Sequence, residues 1–200
     1  MDNNTKLHDS VLWYQLRNSE ENAFSLLFER YYNKMVNYGK TLTSSLETAK
    51  DCVQDVFVDI WIYRHKLNEN VVVKAYLLSC VRKRIANAYK YERTFSYDKD
   101  LDSLNFSFDF SIESEIILQE TIALKVKRLN ILINRLTSRQ KEALYLRYHQ
   151  GLSVEQISEI LNLNYQSTKN LLHRAILDLR KEFLILLLTV LLMASVNSCI

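Results

Sequence analysis

Polar side chains suited to binding a nucleic acid recur along one short stretch near the end of this sequence. Within residues 165–174 they share one side of a helical pattern, and amide, imidazole, ammonium and guanidinium groups can donate hydrogen bonds to base edges and phosphates: Gln166, Lys169, Asn170, His173 and Arg174. The other side of the same pattern is apolar and predicts burial: Leu171, Leu172, Ala175 and Leu179. We therefore expect a helix that presents these polar groups to DNA.

The residues before this helix predict a second helix and a tight turn. Gly151 can adopt the left-handed conformation that ends a helix, and Ser153 with Gln156 forms the pattern of a capping box. Asn162 tolerates the left-handed region, and Asn164 can cap the helix that follows. This layout is typical of a helix-turn-helix, whose second helix enters the major groove of DNA. An ordinary helical hairpin is the alternative that spacing alone leaves open.

Carboxylates recur every four residues on a helix predicted from about Ser45 to Arg64. They form a slowly drifting stripe opposite an apolar face: Glu47, Asp51, Asp55 and Asp59. Adjacent like charges destabilise an isolated helix by about 0.2–0.5 kcal/mol per pair, and a cationic partner would reverse that cost. A merely solvated acidic face is the alternative.

A helix predicted from about Val73 to Tyr91 belongs to a basic zone. Between Trp61 and Phe95 the sequence has eight Lys or Arg against two Glu, although the net charge of the chain is only +3. A second basic zone, between Lys125 and Gln150, has seven basic residues against one Glu. Two such zones favour contact with a polyanion at two places, with solvated helix faces as the alternative.

The sequence argues against an enzyme and predicts no cofactor and no metal site. It has two glycines, too few to build a glycine-rich phosphate loop, and no nucleophile has a recognisable base partner. The cysteines are odd in number and lack metal-ligand spacing, so we expect Cys52 and Cys80 to be reduced core residues of a cytosolic protein.

Two glycines and no proline in 200 residues predict an all-α fold; the length suits one domain or two small ones, and an acidic stretch favours two small helical domains joined by a linker. The first clear helix is expected from Asn22 to about Lys40, with Gly39 helping to end it. Residues 94–115 are acidic and aperiodic and predict a mobile linker; Thr137 and Gln140 form another capping box. The predicted divisions are residues 1–93, 94–115, 116–182 and an apolar helical tail, 183–200.

Three stretches in this order resemble the extracytoplasmic-function group of bacterial RNA polymerase sigma factors, and in particular its Bacteroidetes-type members. The segment Ala49–Trp61, AKDCVQDVFVDIW, resembles the signature helix of region 2, with Asp51, Gln54, Asp55 and Phe57 at typical positions. The segment Val73–Tyr91 is similar to the helix that melts and reads the minus-ten promoter element. The helix-turn-helix is similar to the minus-thirty-five recognition domain of region 4.

The resemblance implies a transcription initiation factor and a role for each surface. Core polymerase would be bound, at the clamp of its largest subunit, by Glu47, Asp51, Gln54 and Asp55. The opened minus-ten element, with a flipped base at the loop 65–72, would be contacted by Arg64, His65, Lys66, Arg82, Lys83, Asn87 and Lys90. The minus-thirty-five element would be contacted by Tyr165, Gln166, Ser167, Lys169, Asn170, His173 and Arg174. A membrane-linked anti-sigma factor is implied as a further partner.

Some positions depart from the family pattern. Lys83 and Asn87 replace a typical Asn and Asp, and Asn162 stands at a usual turn glycine. The tail 183–200 is apolar but shorter than the roughly 20 residues that span a bilayer, so packing or partner contact is preferred over membrane insertion. The polar start of the chain predicts no signal peptide and a cytoplasmic protein. A dimeric repressor and a protein-binding adaptor are the rival functions.

Overall fold

The computed structural model describes residues 7–92, 104–108, 127 and 129–197, and it describes their side chains except those of 91–92 and 182–197. The helices in chain order are α1 (Asp9–Arg17), α2 (Glu21–Leu42), α3 (Leu46–Ile62), a 3-10 turn (Arg64–Lys66), α4 (Val73–Glu92), α5 (129–134), α6 (Ser138–Leu144) with a π-helical turn (Tyr145–His149), α7 (Val154–Leu161) and α8 (Tyr165–Asn197). These described residues include no strand. The all-α prediction is confirmed.

The chain divides into two compact units. The first comprises residues 1–106 with 155–162, and the second comprises residues 107–154 with 163–200. Most of the predicted acidic linker lies outside the described residues, as do Arg93 of the first basic zone, the first residues of the predicted division 116–182 and the side chains of the apolar tail. The described part of that linker, 104–108, includes the buried residues Leu104 and Phe106. The part of the chain that the structure describes has no helix both long and apolar enough to cross a membrane.

In the first unit, α2 is the central helix and packs against α1, α3 and α4. Each helix contributes one apolar face to the core, which includes Leu16 of α1, Met35 of α2, Val53 of α3 and Val81 of α4. A cluster of aromatic rings continues this packing, with Phe24 of α2 against Phe57 and Trp61 of α3. The burial of these faces determines which side of each helix remains exposed.

Helix α1 was not predicted. Its nine residues are too short for a stable isolated helix, and only three of its side chains are buried: Leu12, Trp13 and Leu16. The tertiary contacts of these side chains therefore stabilise the helix. The apolar periodicity of so short a segment does not reveal such contacts.

Gly39 does not end α2, so that prediction was wrong. The helix continues to Leu42, and Gly39 is buried within it. A Cβ atom built on Gly39 would lie 3.1 Å from Cβ of Ala49 and 3.4 Å from Cδ1 of Ile85. The missing side chain thus permits the close approach of α2 to α3.

In the second unit, the capping box at Thr137 is confirmed. The side chain of Thr137 accepts a hydrogen bond from the amide of Gln140, and the Gln140 side chain accepts one from the amide of Thr137. The Gln140 amide group also donates to Asp178 Oδ2 of α8 at 3.0 Å. The N-terminus of α6 is thereby attached to α8.

We predict that Gly39→Val lowers the free energy of unfolding by about 2–3 kcal/mol, because the packing of α2 on α3 leaves no volume for a branched side chain. Urea unfolding followed by circular dichroism would measure it. The matched control is Lys40→Val, at an exposed neighbouring position, with an expected change within about 0.5 kcal/mol. An equal loss in both variants would attribute the effect to β-branching in a helix and not to the contact with Ala49.

Candidate nucleic-acid interface

The outward face of α3 is acidic. Ser45 caps this helix by accepting a hydrogen bond from the amide of Thr48 at 3.1 Å. The helix therefore starts where the sequence predicted, near Ser45. One side of α3 is buried in the core, and the residues on the opposite side are all exposed: Glu47, Asp51, Gln54 and Asp55. None of these side chains is needed to fill the core, so this acidic face is available to a partner.

Asp59, the last member of the predicted stripe, is engaged within the protein. Arg84 of α4 forms a close ion pair with Asp59 and lies 3.9 Å from a carboxylate oxygen of Asp55. Arg84 was counted in the basic zone and Asp59 in the acidic stripe, but these two residues neutralise each other. The Asp55 side chain remains 62% exposed, so the acidic face extends from Glu47 to Asp55.

A cavity of about 410 Å³ lies where the end of α3, the following loop and α4 meet. Its volume is in the range of small-molecule sites, and apolar, aromatic and polar side chains line it: Val56, Asp59, Ile60, Tyr63, Leu67, Tyr76, Cys80, Lys83, Arg84 and Asn87. Burial raises the pKa of Tyr76 to about 12, with Cys80 as a further cause, and burial also raises the pKa of Cys80. Both groups are therefore uncharged at neutral pH.

The first residues after α3 are partly held by the fold. The guanidinium of Arg64 stacks 4.3 Å from the ring centre of Trp61 and donates to the carbonyl oxygen of Trp61 at 2.6 Å. His65 and Lys66 are exposed, and the ammonium of Lys66 lies 5.9 Å from the ring centre of Tyr63. Arg64 is therefore fixed in place, while His65 and Lys66 are accessible.

Helix α4 presents its predicted polar residues at different degrees of exposure. Lys83, Asn87 and Lys90 are exposed, and Arg82 is half-buried. Leu77, Val81 and Ile85 are buried on the core side. Lys83 and Asn87 also line the cavity, so a ligand in the cavity would meet one ammonium and one amide group.

The start of α8 is set by its turn and cap. Gly151 and Asn162 have φ angles of +69° and +53°, which confirms the left-handed conformation expected at each. The amide of Ser167 donates to Asn164 Oδ1 at 2.7 Å, which confirms Asn164 as a cap. Leu172 and Ala175 are buried, and every predicted DNA-contacting side chain of this helix is exposed: Tyr165, Gln166, Ser167, Lys169, Asn170, His173 and Arg174.

One residue beside the cavity, Trp13 of α1, was missed by sequence reasoning. Tyr76 and Cys80 line the cavity from α4, and Trp13 of α1 contacts both Tyr76 and the backbone of Asn68. These contacts join positions far apart in the chain, so helical spacing carries no signal for them. In the described part of the chain, no group of His, Cys, Asp or Glu residues could hold a metal ion.

Two models of one protein family match this chain. Sigma-70 region 2 matches residues 27–94, and sigma-70 region 4 matches residues 128–179. The chain is an RNA polymerase sigma factor of the sigma-70 family. Its first region includes α3, α4 and the cavity, and its second includes the capped start of α8.

Curated relatives agree with this assignment and narrow it to one group within the family. The chain is 28% identical to RNA polymerase sigma factor YlaC of Bacillus subtilis (strain 168) over 156 residues, which are 78% of this chain and 89% of that protein. It is 20% identical to ECF RNA polymerase sigma factor SigX of the same organism over 168 residues, covering 81% and 84% of the two chains. The protein is thus a sigma factor of the extracytoplasmic-function (ECF) group.

A solved structure has the same fold. The sigma factor RpoE from Bartonella quintana, crystallised with the anti-sigma factor NepR, matches with a TM-score of 0.56 at 18% identity. The match covers 79% of this chain and 94% of that one. At this identity the likeness concerns the arrangement of helices.

We predict that Asn164→Ala destabilises the first turn of α8 by about 1 kcal/mol, because the amide of Ser167 loses its acceptor. Hydrogen–deuterium exchange at Ser167 should become faster, while exchange in α3 stays unchanged. Asn164→Asp is the matched control because it retains a side-chain oxygen at this position. Equal acceleration in the Asp and Ala variants would show that the cap does not depend on that oxygen.

Proposed function

We propose that this ECF sigma factor binds core polymerase through the acidic face of α3 (Glu47, Asp51, Gln54 and Asp55). The exposure of these four side chains on a helix whose other side is buried is the observation that carries the proposal. A cationic partner at the largest-subunit clamp would relieve the repulsion among the carboxylates. The protein would act as an initiation factor and would not itself catalyse a reaction.

The minus-ten element is assigned to the cavity and the surfaces beside it. Tyr63, Tyr76 and Leu67 give the cavity flat and apolar walls, which suit a base taken out of the DNA stack. Contacts to the opened strand are assigned to the exposed and half-exposed polar residues nearby: Arg64, His65, Lys66, Arg82, Lys83, Asn87 and Lys90. Capture of a base would offset an unstacking cost of a few kcal/mol, so that melting would need no ATP.

The minus-thirty-five element is assigned to the start of α8. Its exposed side chains include amides that can hydrogen-bond base edges and cations that can bind phosphates. Thr168, Leu172 and Ala175 of the same helix are buried, and the side chains assigned to this contact are all exposed: Tyr165, Gln166, Ser167, Lys169, Asn170, His173 and Arg174. The domain division at residues 1–93, 94–115 and 116–182 belongs to the same proposal.

Regulation and location follow from the same function. We place the protein with the Bacteroidetes-type members of the group because its sequence resembles theirs, and in the cytoplasm because polymerase and promoters lie there. RpoE of Bartonella quintana forms a complex with an anti-sigma factor, and we infer a partner of that class here.

The tail 183–200 is assigned to packing or partner contact. Deleting it and fractionating cells would test membrane association.

Reconstituted transcription tests the function directly. Purified protein, core polymerase and genomic DNA fragments should give transcripts that start at discrete sites, and mapping these starts identifies the promoters. The protein alone should bind the promoter duplex poorly. Tight specific binding of duplex DNA without polymerase would favour a repressor, and the absence of any effect on transcription would favour an adaptor.

We predict that Asp51→Arg, alone and together with Asp55→Arg, weakens binding to core polymerase by about tenfold or more, because each reversal opposes a complementary charge. A fluorescence titration of labelled protein with core enzyme would measure this. Glu29→Arg makes the same charge change at an exposed position of α2 and should leave the affinity within about twofold. Unchanged affinity in the double variant would remove α3 from the interface.

We predict that Lys169→Ala weakens holoenzyme binding to its mapped promoter and lowers the magnitude of the salt dependence by about one unit of slope, because one phosphate contact is lost. Binding would be measured at several salt concentrations on promoters with and without the upstream element. Lys40→Ala removes one charge from an exposed site of α2 and serves as the control. A loss of equal size on both promoters would contradict the assignment of Lys169 to that element.

A further inference from the structure

Helix α1 makes a directed polar contact with the loop that follows α3. Trp13 is only 2% exposed, and its indole N–H donates to the backbone carbonyl of Asn68 at 2.9 Å. The same ring meets Tyr76 edge to face, with ring centres 5.3 Å apart. Trp13 therefore holds a backbone position of the loop and also one wall of the cavity.

Two further residues, Arg17 at the end of α1 and Ser19 just after it, contact the same loop. Arg17 pairs with Glu69 at 2.5 Å, and the Arg17 side chain is only 17% exposed. The hydroxyl of Ser19 accepts from Nε of Arg64 at 2.9 Å and lies 3.3 Å from Nε2 of His65. These contacts extend from Arg64 to Glu69, the length of chain that borders the cavity at Leu67.

The loop has little regular structure of its own. Beyond the 3-10 turn Arg64–Lys66, its described local hydrogen bonds include Leu67 N–H to the carbonyl of Arg64 at 3.4 Å and Asn70 N–H to Oδ1 of Asn68 at 3.0 Å. A segment with so few internal bonds has low local stability. Its conformation must depend on what packs against it, and Trp13, Arg17 and Ser19 of the preceding chain do so.

Ser19 carries a backbone strain that supports a specific role. Its φ angle is +71°, a conformation that costs free energy for a residue with a side chain and that glycine adopts readily. A serine at this position supplies the hydroxyl that contacts Arg64 and His65, which a glycine could not provide. The strain is thus coupled to a contact with the loop.

We propose that Trp13, Arg17 and Ser19 are positioning residues that preform the cavity for a flipped promoter base. The inference rests on the assignment of the cavity to base capture under the proposed function, and it adds α1 as the element that fixes the loop wall. A preordered loop reduces the ordering cost of binding. Loosening the loop should therefore weaken capture of the base without weakening the attachment to polymerase, which uses α3.

Two variants separate this role from simple core packing. Trp13→Phe keeps an aromatic ring but removes the N–H donor to Asn68, and Ser19→Gly keeps the left-handed backbone but removes the hydroxyl. Tyr14→Ala is the matched control, because Tyr14 lies on the same helix and is 63% exposed. Urea unfolding should show that the control and Ser19→Gly retain the stability of the natural protein.

The first measurement is hydrogen–deuterium exchange on the free protein. Each of the two variants should accelerate exchange at the amides of Lys66 and Asn70 by about three- to tenfold, the effect of losing one hydrogen bond, with α3 and α4 unchanged. Unchanged exchange at these amides in both variants would overturn the proposal, because α1 would then not determine the order of the loop.

The second measurement uses holoenzyme and a single-stranded oligonucleotide carrying the non-template minus-ten sequence of the mapped promoter. A matched oligonucleotide with an abasic site at each position in turn identifies the captured base. The variants should reduce the preference for the intact base by about three- to tenfold while their affinity for core polymerase equals that of the control. If exchange were faster in the loop but the preference for the intact base were unchanged, the positioning role would be overturned. If the natural protein showed no preference at any position, base capture itself would be excluded, and the exchange data would still report the contact between α1 and the loop.

Discussion

The burial of the apolar side of α3 is the constraint from which the functional surfaces of the first unit follow. This helix is enclosed by α2 and α4, and the absence of a side chain at Gly39 lets α2 approach Ala49 closely. Once one side of α3 is committed to the core, its carboxylates have only the solvent side to occupy. The same packing places the end of α3 beside α4, where the two helices form the walls of the cavity.

Some charged side chains of the first unit pair with each other, and others remain exposed. Arg84 forms an ion pair with Asp59, the last carboxylate of the acidic stripe. Glu47 and Asp51 form no ion pair with a described residue. Lys83 and Asn87 stay at the cavity edge. The ion pair between Arg84 and Asp59 keeps the acidic face of α3 and the exposed Lys83 and Lys90 of α4 distinct on adjacent helices, as the proposed contacts with polymerase and DNA require.

For helix α8, local turn chemistry has the larger part. The left-handed residue Asn162 and the cap Asn164 determine where α8 begins, and the buried positions Leu172 and Ala175 then determine its rotation about the helix axis. The turn and the cap depend on neighbours within a few residues, and together with these buried positions they determine which side chains of α8 face outward. The polar residues that a major groove would meet are the ones left on the solvent side.

The sequence by itself determined most of the helices, the caps at Thr137 and Asn164, the left-handed turn at Asn162 and the acidic face of α3. These depend on hydrogen bonds and periodicity within three or four residues, which a single sequence displays. Only the tertiary structure decided that Gly39 packs instead of ending a helix, that Arg84 belongs with Asp59, and that Trp13 reaches Asn68. Each of these joins segments distant in the chain, and the Trp13 contact spans 55 positions. Such contacts follow from how the helix faces meet, which no local pattern encodes.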